Sequence, residues 1–347
     1  AAGGGEGEEG NDEQSLARYR ARIGNFMKKW AGGCAEDFLD NDREVVKRYE
    51  EWLASDTFKE KEKGMYAFLK KALDLLDGQD VKKELKFSQP PPTPIKPKRT
   101  NFLLLDLDQG ELARQLTVMC SRTYCAIQSW EFLAQSWNKK DKEKTAPHIS
   151  QLTTRFNLTS RWIETQIVSE MNIRRRANVL EFFIGVGEKL NELNNFHGIM
   201  EIISGLQSSS VFRLKKTWDL VSKRKIASLQ KLGSCLARES SYKVYRETLH
   251  SRQPPIIPYI GVYLSDLTFL EDGNKDRTDN DHVNFHKRIM ISNVIKEIKQ
   301  YQQMPYNIVD VEEIQKYLEE MTTRMVLSEN QIYEYSLKCE PRASAAK

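Results

Sequence analysis

The chain has 347 residues, of which 39% are hydrophobic and 29% charged, and its 53 basic and 49 acidic residues leave a net charge of +4. This balance suits a folded protein with one large core and one small one, and excludes a disordered polyelectrolyte. The basic excess is too small and dispersed for a nucleic-acid surface, which needs a concentrated cationic stripe. The runs Arg174-Arg175-Arg176 and Lys223-Arg224-Lys225 read as solvated helix ends.

Residues 1–12 combine glycine with like charge and are expected to be disordered. From 13 to 78, apolar residues such as Leu16, Tyr19, Ile23, Phe26 and Trp30 recur at helical spacing, which predicts a small helical domain with a thin core. Pro90, Pro91, Pro92, Pro94 and Pro97 crowd the stretch 79–101, exclude helix there and predict an extended linker. From 102 to 341 helical periodicity dominates, beginning with a helix that Asp108 is placed to cap and that carries Leu112, Leu116 and Met119. Pro254-Pro255-Ile256-Ile257-Pro258 is apolar and β-branched, but its prolines make it a buried bend between helices. Residues 342–347 form a tail. The expected class is all-α, a large irregular helical domain preceded by a small one.

Five scattered cysteines with no C-x-x-C pair predict neither disulfides nor a zinc site. No apolar run approaches the roughly 18 residues needed to span a bilayer, and the start lacks the pattern of a signal peptide, so a cytoplasmic setting is expected. Enzyme chemistry is equally hard to place. His282 and His286 have the spacing of two metal ligands, but no third ligand can be named, and they read as polar surface. Gly185-Val186-Gly187 lacks the rest of a phosphate loop and reads as a site of close helix packing. No cofactor, no metal and no covalent chemistry are predicted.

Three ordered segments carry a more specific signal. The first is Gln135-Ser136-Trp137-Asn138-Lys139-Lys140-Asp141-Lys142 with Ala146-Pro147-His148-Ile149 and Arg155-Phe156-Asn157. The second joins Glu192-Leu193-Asn194-Asn195-Phe196 to Met200-Glu201-Ile202-Ile203-Ser204-Gly205-Leu206 and to Arg213-Leu214-Lys215-Lys216-Thr217-Trp218. The third runs from Pro254 through Tyr263-Leu264-Ser265-Asp266-Leu267-Thr268-Phe269-Leu270-Glu271-Asp272-Gly273-Asn274 to Val283-Asn284-Phe285 and Tyr301-Gln302-Gln303. Together they resemble the Cdc25-homology domain of Ras-family guanine-nucleotide exchange factors. The segment 13–78, opening at Phe26-Met27-Lys28-Lys29-Trp30, resembles part of the Ras exchanger motif that precedes such domains. The third segment is most similar to the Ras guanine-nucleotide-releasing factors, which makes Ras the first expected partner and Rap the second. Nucleic acid is not expected as a partner, and a membrane is met only through the lipid-anchored GTPase. A non-catalytic GTPase-binding scaffold and a GTPase-activating protein are the alternatives.

Read for its physics, the third segment predicts a helix over 260–272 stopped by a left-handed Gly273-Asn274 pair, a polar turn over 275–280, and a second helix. The apolar stripe expected on that helix runs through Val283, Ile289, Ile291, Val294, Ile295 and Ile298. The resemblance makes this projecting helical hairpin the wedge that opens the nucleotide site. Thr268 would crowd the magnesium site, and the Asp272 carboxylate, four residues on and on the same face, would compete for groups that hold phosphate and metal. Many family members carry leucine and glutamate at these two positions. Asn195 would help to hold the switch region of the GTPase, with a helix cap or core amide as the bland reading of the same residue. Leu264, Ser265, Glu271, Asn284 and Lys287 are the expected hairpin contacts. Glu271 and Asp272 also lie at a helix C-terminus, where carboxylates are disfavoured. Trp137, Trp162 and Trp218 read as packing residues.

Overall fold

The computed structural model describes Phe87, residues 89–237 and 239–342, and scattered positions between Arg18 and Ala54. The expected disordered start, most of the small helical domain and nearly all of the tail lie outside the described residues. The chain divides into two compact units, Ala1–Lys86 and Phe87–Lys347. Every described residue of the smaller unit is helical, and the rings of Phe26 and Trp30, one turn apart, lie 6.2 Å from each other.

The larger unit is all-α, and among its described residues β pairing is confined to two isolated bridges. Its longer helices are α1 (Gln109–Ala126), α2 (Pro147–Ser169), α3 (Ile173–Glu192), α4 (Phe196–Gln207), α5 (Lys223–Cys235), α6 (Glu239–Ser251), α7 (Ile260–Gly273), α8 (Phe285–Tyr301), α9 (Glu312–Thr323) and α10 (Glu329–Cys339). The side chain of Asp108 caps α1, accepting from the Glu111 amide at 2.8 Å, as its position in the sequence predicts. Leu112, Leu116, Cys120 and Tyr124 repeat every four residues and are all buried.

The core forms where α2 and α4 meet and where α3 packs on α1, α4 and α5. Two glycines allow this closeness. A Cβ at Gly205 would fall 2.9 Å from Ile163 Cβ and from the Ser160 carbonyl, and one at Gly185 only 2.1 Å from Gln109 Oε1. Trp162 is fully buried with its ring edge-on to Phe183, while Trp137 and Trp218 pack against the core from its margin.

One basic run departs from the sequence expectation. Arg176 is buried, not solvated: its Nε donates to Thr217 Oγ1 at 2.9 Å, and Nη1 donates to the carbonyls of Glu170 and Met171. Glu340 completes the cluster, accepting from the Thr217 hydroxyl at 2.6 Å and from the Lys216 and Thr217 amides. The C-terminal end of the domain is thereby fixed to its centre.

The proline-rich segment lies along the larger unit. The Ile95 amide donates to the buried carboxylate of Glu111 at 2.8 Å, Asn307 Nδ2 donates to the Gln89 carbonyl at 2.7 Å, and the rings of Phe102 and Tyr317 are 5.1 Å apart. The Lys96–Glu313 ion pair, exposed on both sides, adds little. Removing residues 1–86 leaves these contacts in place, whereas removing 1–100 strips a hydrogen bond from a buried carboxylate, a loss of about 1–3 kcal/mol. The second truncation is therefore expected to melt several degrees below the first in a thermal scan of the two proteins.

Candidate functional site

Helices α7 and α8 form an antiparallel hairpin whose turn is held from within. The Asn284 side chain caps α8 by accepting from the Lys287 amide, and its Nδ2 donates across the turn to the Lys275 carbonyl at 2.9 Å. The left-handed stop is absent: Gly273 is still helical, and Asn274 is extended at φ −132°, with its Nδ2 donating to the Leu270 carbonyl. A side-chain amide, not a left-handed glycine, satisfies the open end of α7.

Lys287 is the internal brace of this hairpin. It is 2% exposed, and its ammonium lies 2.6 Å from Glu271 Oε2 and 3.0 Å from Asp276 Oδ1, while also donating to the Glu271 carbonyl. Burial alone would lower the lysine pKa, but the hydrogen bonds it donates to Glu271 and Asp276, with their negative charge, outweigh it and the group is shifted up. Glu271 is thus paired with a cation, which relieves its disfavoured place at a helix end. Lys287 and Glu271, both expected as hairpin contacts, are paired with each other, with the ammonium buried between the two helices.

Asn284 is half-buried at the start of α8, and the other predicted contact residues that reach the surface are on α7. Leu264, Ser265, Thr268 and Phe269 form one wall of an open cleft of about 440 Å³, with Trp137, Asn138 and Lys142 on the opposite wall. Thr268 is half-buried, and its hydroxyl is engaged within α7, donating to the Leu264 carbonyl. Asp272, one turn further, is exposed, and its Oδ1 accepts from Gln135 Nε2 at 2.7 Å.

Asn195 does not join them. It is completely buried, accepts from the Gly198 amide at 2.9 Å as the cap of α4, and donates to Thr117 Oγ1 at 3.1 Å. Its neighbours form the root of the hairpin: the Phe196 amide donates to the Ile257 carbonyl and the Ile257 amide to the Asn194 carbonyl. That bridge is all that remains of the β-like stretch. Further bonds from α6 set the hairpin angle. Arg246 pairs with Asp266, and Glu297 Oε1 accepts from the Tyr263 hydroxyl at 2.8 Å with His250 Nε2 at 2.9 Å.

Sequence reasoning misses the bare apolar surface. Phe269 is 76% and Phe285 67% exposed, and Val283 and Ile289, expected in the buried stripe of the second helix, are about half exposed. Phe285 and Ile289, four apart, share one face of α8. The inward stripe is narrower, with Ile291 and Ile298 buried and Val294 and Ile295 packed behind them. The available signal was an excess of apolar residues for one stripe. His282 lies in the turn before α8, so it shares no helix face with His286, and both rings are exposed.

Behind the hairpin root, His197 and Glu201 are both buried on α4, with Nε2 and Oε1 4.0 Å apart and neither imidazole nitrogen hydrogen-bonded. Burial lowers His197 to about 3 and raises Glu201 to about 8, the latter held back by the charge of Arg155. Both groups are therefore neutral at pH 7.

An all-α domain that presents a braced helical hairpin, with an exposed carboxylate and bare aromatic rings on it, has the features of a protein-binding module. Over residues 111–289 the chain matches the family model described as the RasGEF domain, and it belongs to that family. It is 38% identical over 324 residues to Ras guanine nucleotide exchange factor P of Dictyostelium discoideum, a match over 93% of this chain and 21% of that protein. With Ras-specific guanine nucleotide-releasing factor 2 of Mus musculus it shares 36% over 339 residues, 96% of this chain and 28% of the relative. With Ras guanine nucleotide exchange factor A of Dictyostelium discoideum it shares 31% over 347 residues, covering 57% of that relative. The chain thus spans between about a fifth and somewhat over half of these proteins.

Two outcomes follow from the buried groups. Above pH 6.5 the unfolded chain carries ionised glutamate while folded Glu201 keeps its proton up to about pH 8, so stability falls as pH rises through this window. The neutral state of His197 acts oppositely, costing stability below pH 6.5. Chemical denaturation at pH 6.5 and 8.5 is expected to show a loss of about 2 kcal/mol, and Glu201→Gln is expected to flatten it. Separately, Lys287→Met leaves Glu271 without its cation and is expected to cost about 2 kcal/mol. Limited proteolysis should then cut within 274–284 earlier than in the parent protein.

Proposed function

We propose that the chain is a guanine-nucleotide exchange factor for a small GTPase of the Ras family, with Ras the first candidate partner and Rap the second. The single observation that carries this reading is the exposed face of α7, where Thr268 and Asp272 stand one turn apart on a hairpin braced by the buried Lys287. Family membership supports it, as does the similarity to Ras guanine nucleotide exchange factors.

The chemistry is displacement without bond formation. A GTPase holds its nucleotide with backbone donors, a lysine and a magnesium ion. The Asp272 carboxylate brings negative charge to that cradle and competes for its cationic groups, while the Thr268 methyl group fills space next to the metal. Phe269, Phe285 and Ile289 supply apolar area for docking, and burying them offsets the cost of opening the nucleotide site. Asn195 acts at a distance, by fixing the start of α4 and with it the hairpin root. Because binding is reciprocal, a roughly 10⁴-fold weakening of nucleotide corresponds to about 5.5 kcal/mol of differential binding, and incoming GTP expels the factor. We place the encounter at the cytoplasmic membrane surface, where a lipid-anchored GTPase resides.

Release of a fluorescent GDP analogue from a panel of Ras and Rap proteins tests the reading directly. Acceleration is expected with the chain alone, and no acceleration across the panel overturns it. Combining Thr268→Glu with Asp272→Lys is expected to abolish exchange with a melting point within about a degree of the parent, since both changes are to side chains with open space before them. A well-folded double variant with undiminished exchange removes these two residues from the site.

A further inference from the structure

We propose that Gln135, which lies outside the hairpin, is a positioning residue for exchange: its side-chain amide presets the Asp272 carboxylate before the GTPase arrives. This inference rests on the exchange-factor reading above and adds to it a group that the hairpin itself does not contain.

The geometry is specific. Gln135 Nε2 donates to Asp272 Oδ1 at 2.7 Å, across 137 residues of chain, and Gln135 Oε1 in turn accepts from Asn138 Nδ2 at 3.2 Å. Both ends of the glutamine amide are used, so its orientation is determined. Only Oδ1 of Asp272 is engaged, which leaves Oδ2 open toward an approaching protein. An aspartate near the last turn of an exposed helix would otherwise sample several rotamers, and a hydrogen bond to its ionised form selects one of them.

The backbone beneath Gln135 is itself held in an unusual state. Ala134 and Gln135 lie consecutively in the left-handed region, at φ 49° and 50°, although both carry a Cβ. Such a conformation is disfavoured for non-glycine residues and persists only where its surroundings enforce it. Here they do. The buried carboxylate of Glu131 accepts from the amides of Gln128, His148 and Ile149, which ties the loop to the start of α2. Ser136 Oγ donates to the Leu133 carbonyl at 2.6 Å, and Thr145 Oγ1 donates to the Ser136 carbonyl at 3.1 Å. A strained turn locked on both sides is a rigid support, and what it presents to the surface is the amide that meets Asp272.

Nucleotide release separates this role from its rivals. Gln135→Ala is expected to lower the maximal release rate about three- to tenfold, the size of one solvent-exposed hydrogen bond, without changing the GTPase concentration at half-maximal rate. Gln135→Glu, which sets a second carboxylate against Asp272, is expected to lose more. In an Asp272→Ala background, Gln135→Ala is expected to have no further effect. If the alanine variant melts early, Gln135→Gly removes the same amide while suiting the left-handed backbone, and carries the same expectation. Exchange that is unchanged or faster in these variants overturns the proposal, the faster case marking the bond as a latch. An additive loss in the Asp272→Ala background also overturns it, because Gln135 would then meet the GTPase directly. Full exchange by Asp272→Ala alone instead defeats the site reading on which the proposal rests.

Discussion

A single ammonium group, taken out of water inside the α7–α8 hairpin, is what the exposed face of the domain depends on. Stripping a cation of its hydration costs several kcal/mol, and this is recovered only if carboxylates are brought to it in good geometry. Lys287 finds one on α7, Glu271, and one in the turn, Asp276, which also receives Arg288. Both helices and their connection must be in register for the three groups to meet. The tip of the hairpin is therefore held in one arrangement by charge, while Leu267, Ile291 and Ile298 close its base, and the remaining apolar residues near the tip are not needed for closure. That is why Phe269, Phe285 and Ile289 can stay bare without the hairpin coming apart.

Neighbouring acids divide the work between inside and outside. Glu271 and Asp272 are consecutive, and the 100° turn between successive helical residues sends the first inward to Lys287 and the second outward to Gln135. Chemically similar side chains thus serve stability and contact respectively. The same separation recurs at the root, where Asn194 and Asn195 point apart. Asn194 Nδ2 donates to the Gln253 carbonyl, and Asn195 closes the cap of α4.

Much of this architecture is legible in the sequence because it rests on local rules. Asp108 before an apolar-periodic run announces a capped helix, and a polar stretch between two periodic segments announces the hairpin. At Gly185 and Gly205 there is no room for a Cβ without a shift of Gln109 or Ile163, as a glycine inside a helical pattern suggests. What escapes the sequence is tertiary pairing. Arg176 looks like one more solvated cation until Thr217 and Glu340, far along the chain, are seen to surround it. Lys287 looks like a contact residue for the same reason, and Ile289 looks like core because periodicity cannot tell a buried stripe from a bare one. Gln135 is present in a segment that resembles the family, but its partner lies 137 residues away, and no pattern of spacing announces that bond.

The proline-rich segment carries a built-in reporter. Proline has no backbone N–H, so between Pro90 and Pro97 only Thr93, Ile95 and Lys96 possess an exchangeable amide. Of these, the Ile95 hydrogen is the one held by a buried carboxylate, that of Glu111 at the start of α1. Its exchange with solvent deuterium requires the segment to lift from the domain, and so measures that local opening against the much slower opening of the core. Any event that loosens the start of α1 would register there, as faster labelling of this hydrogen-bonded amide in a stretch otherwise almost silent to the method.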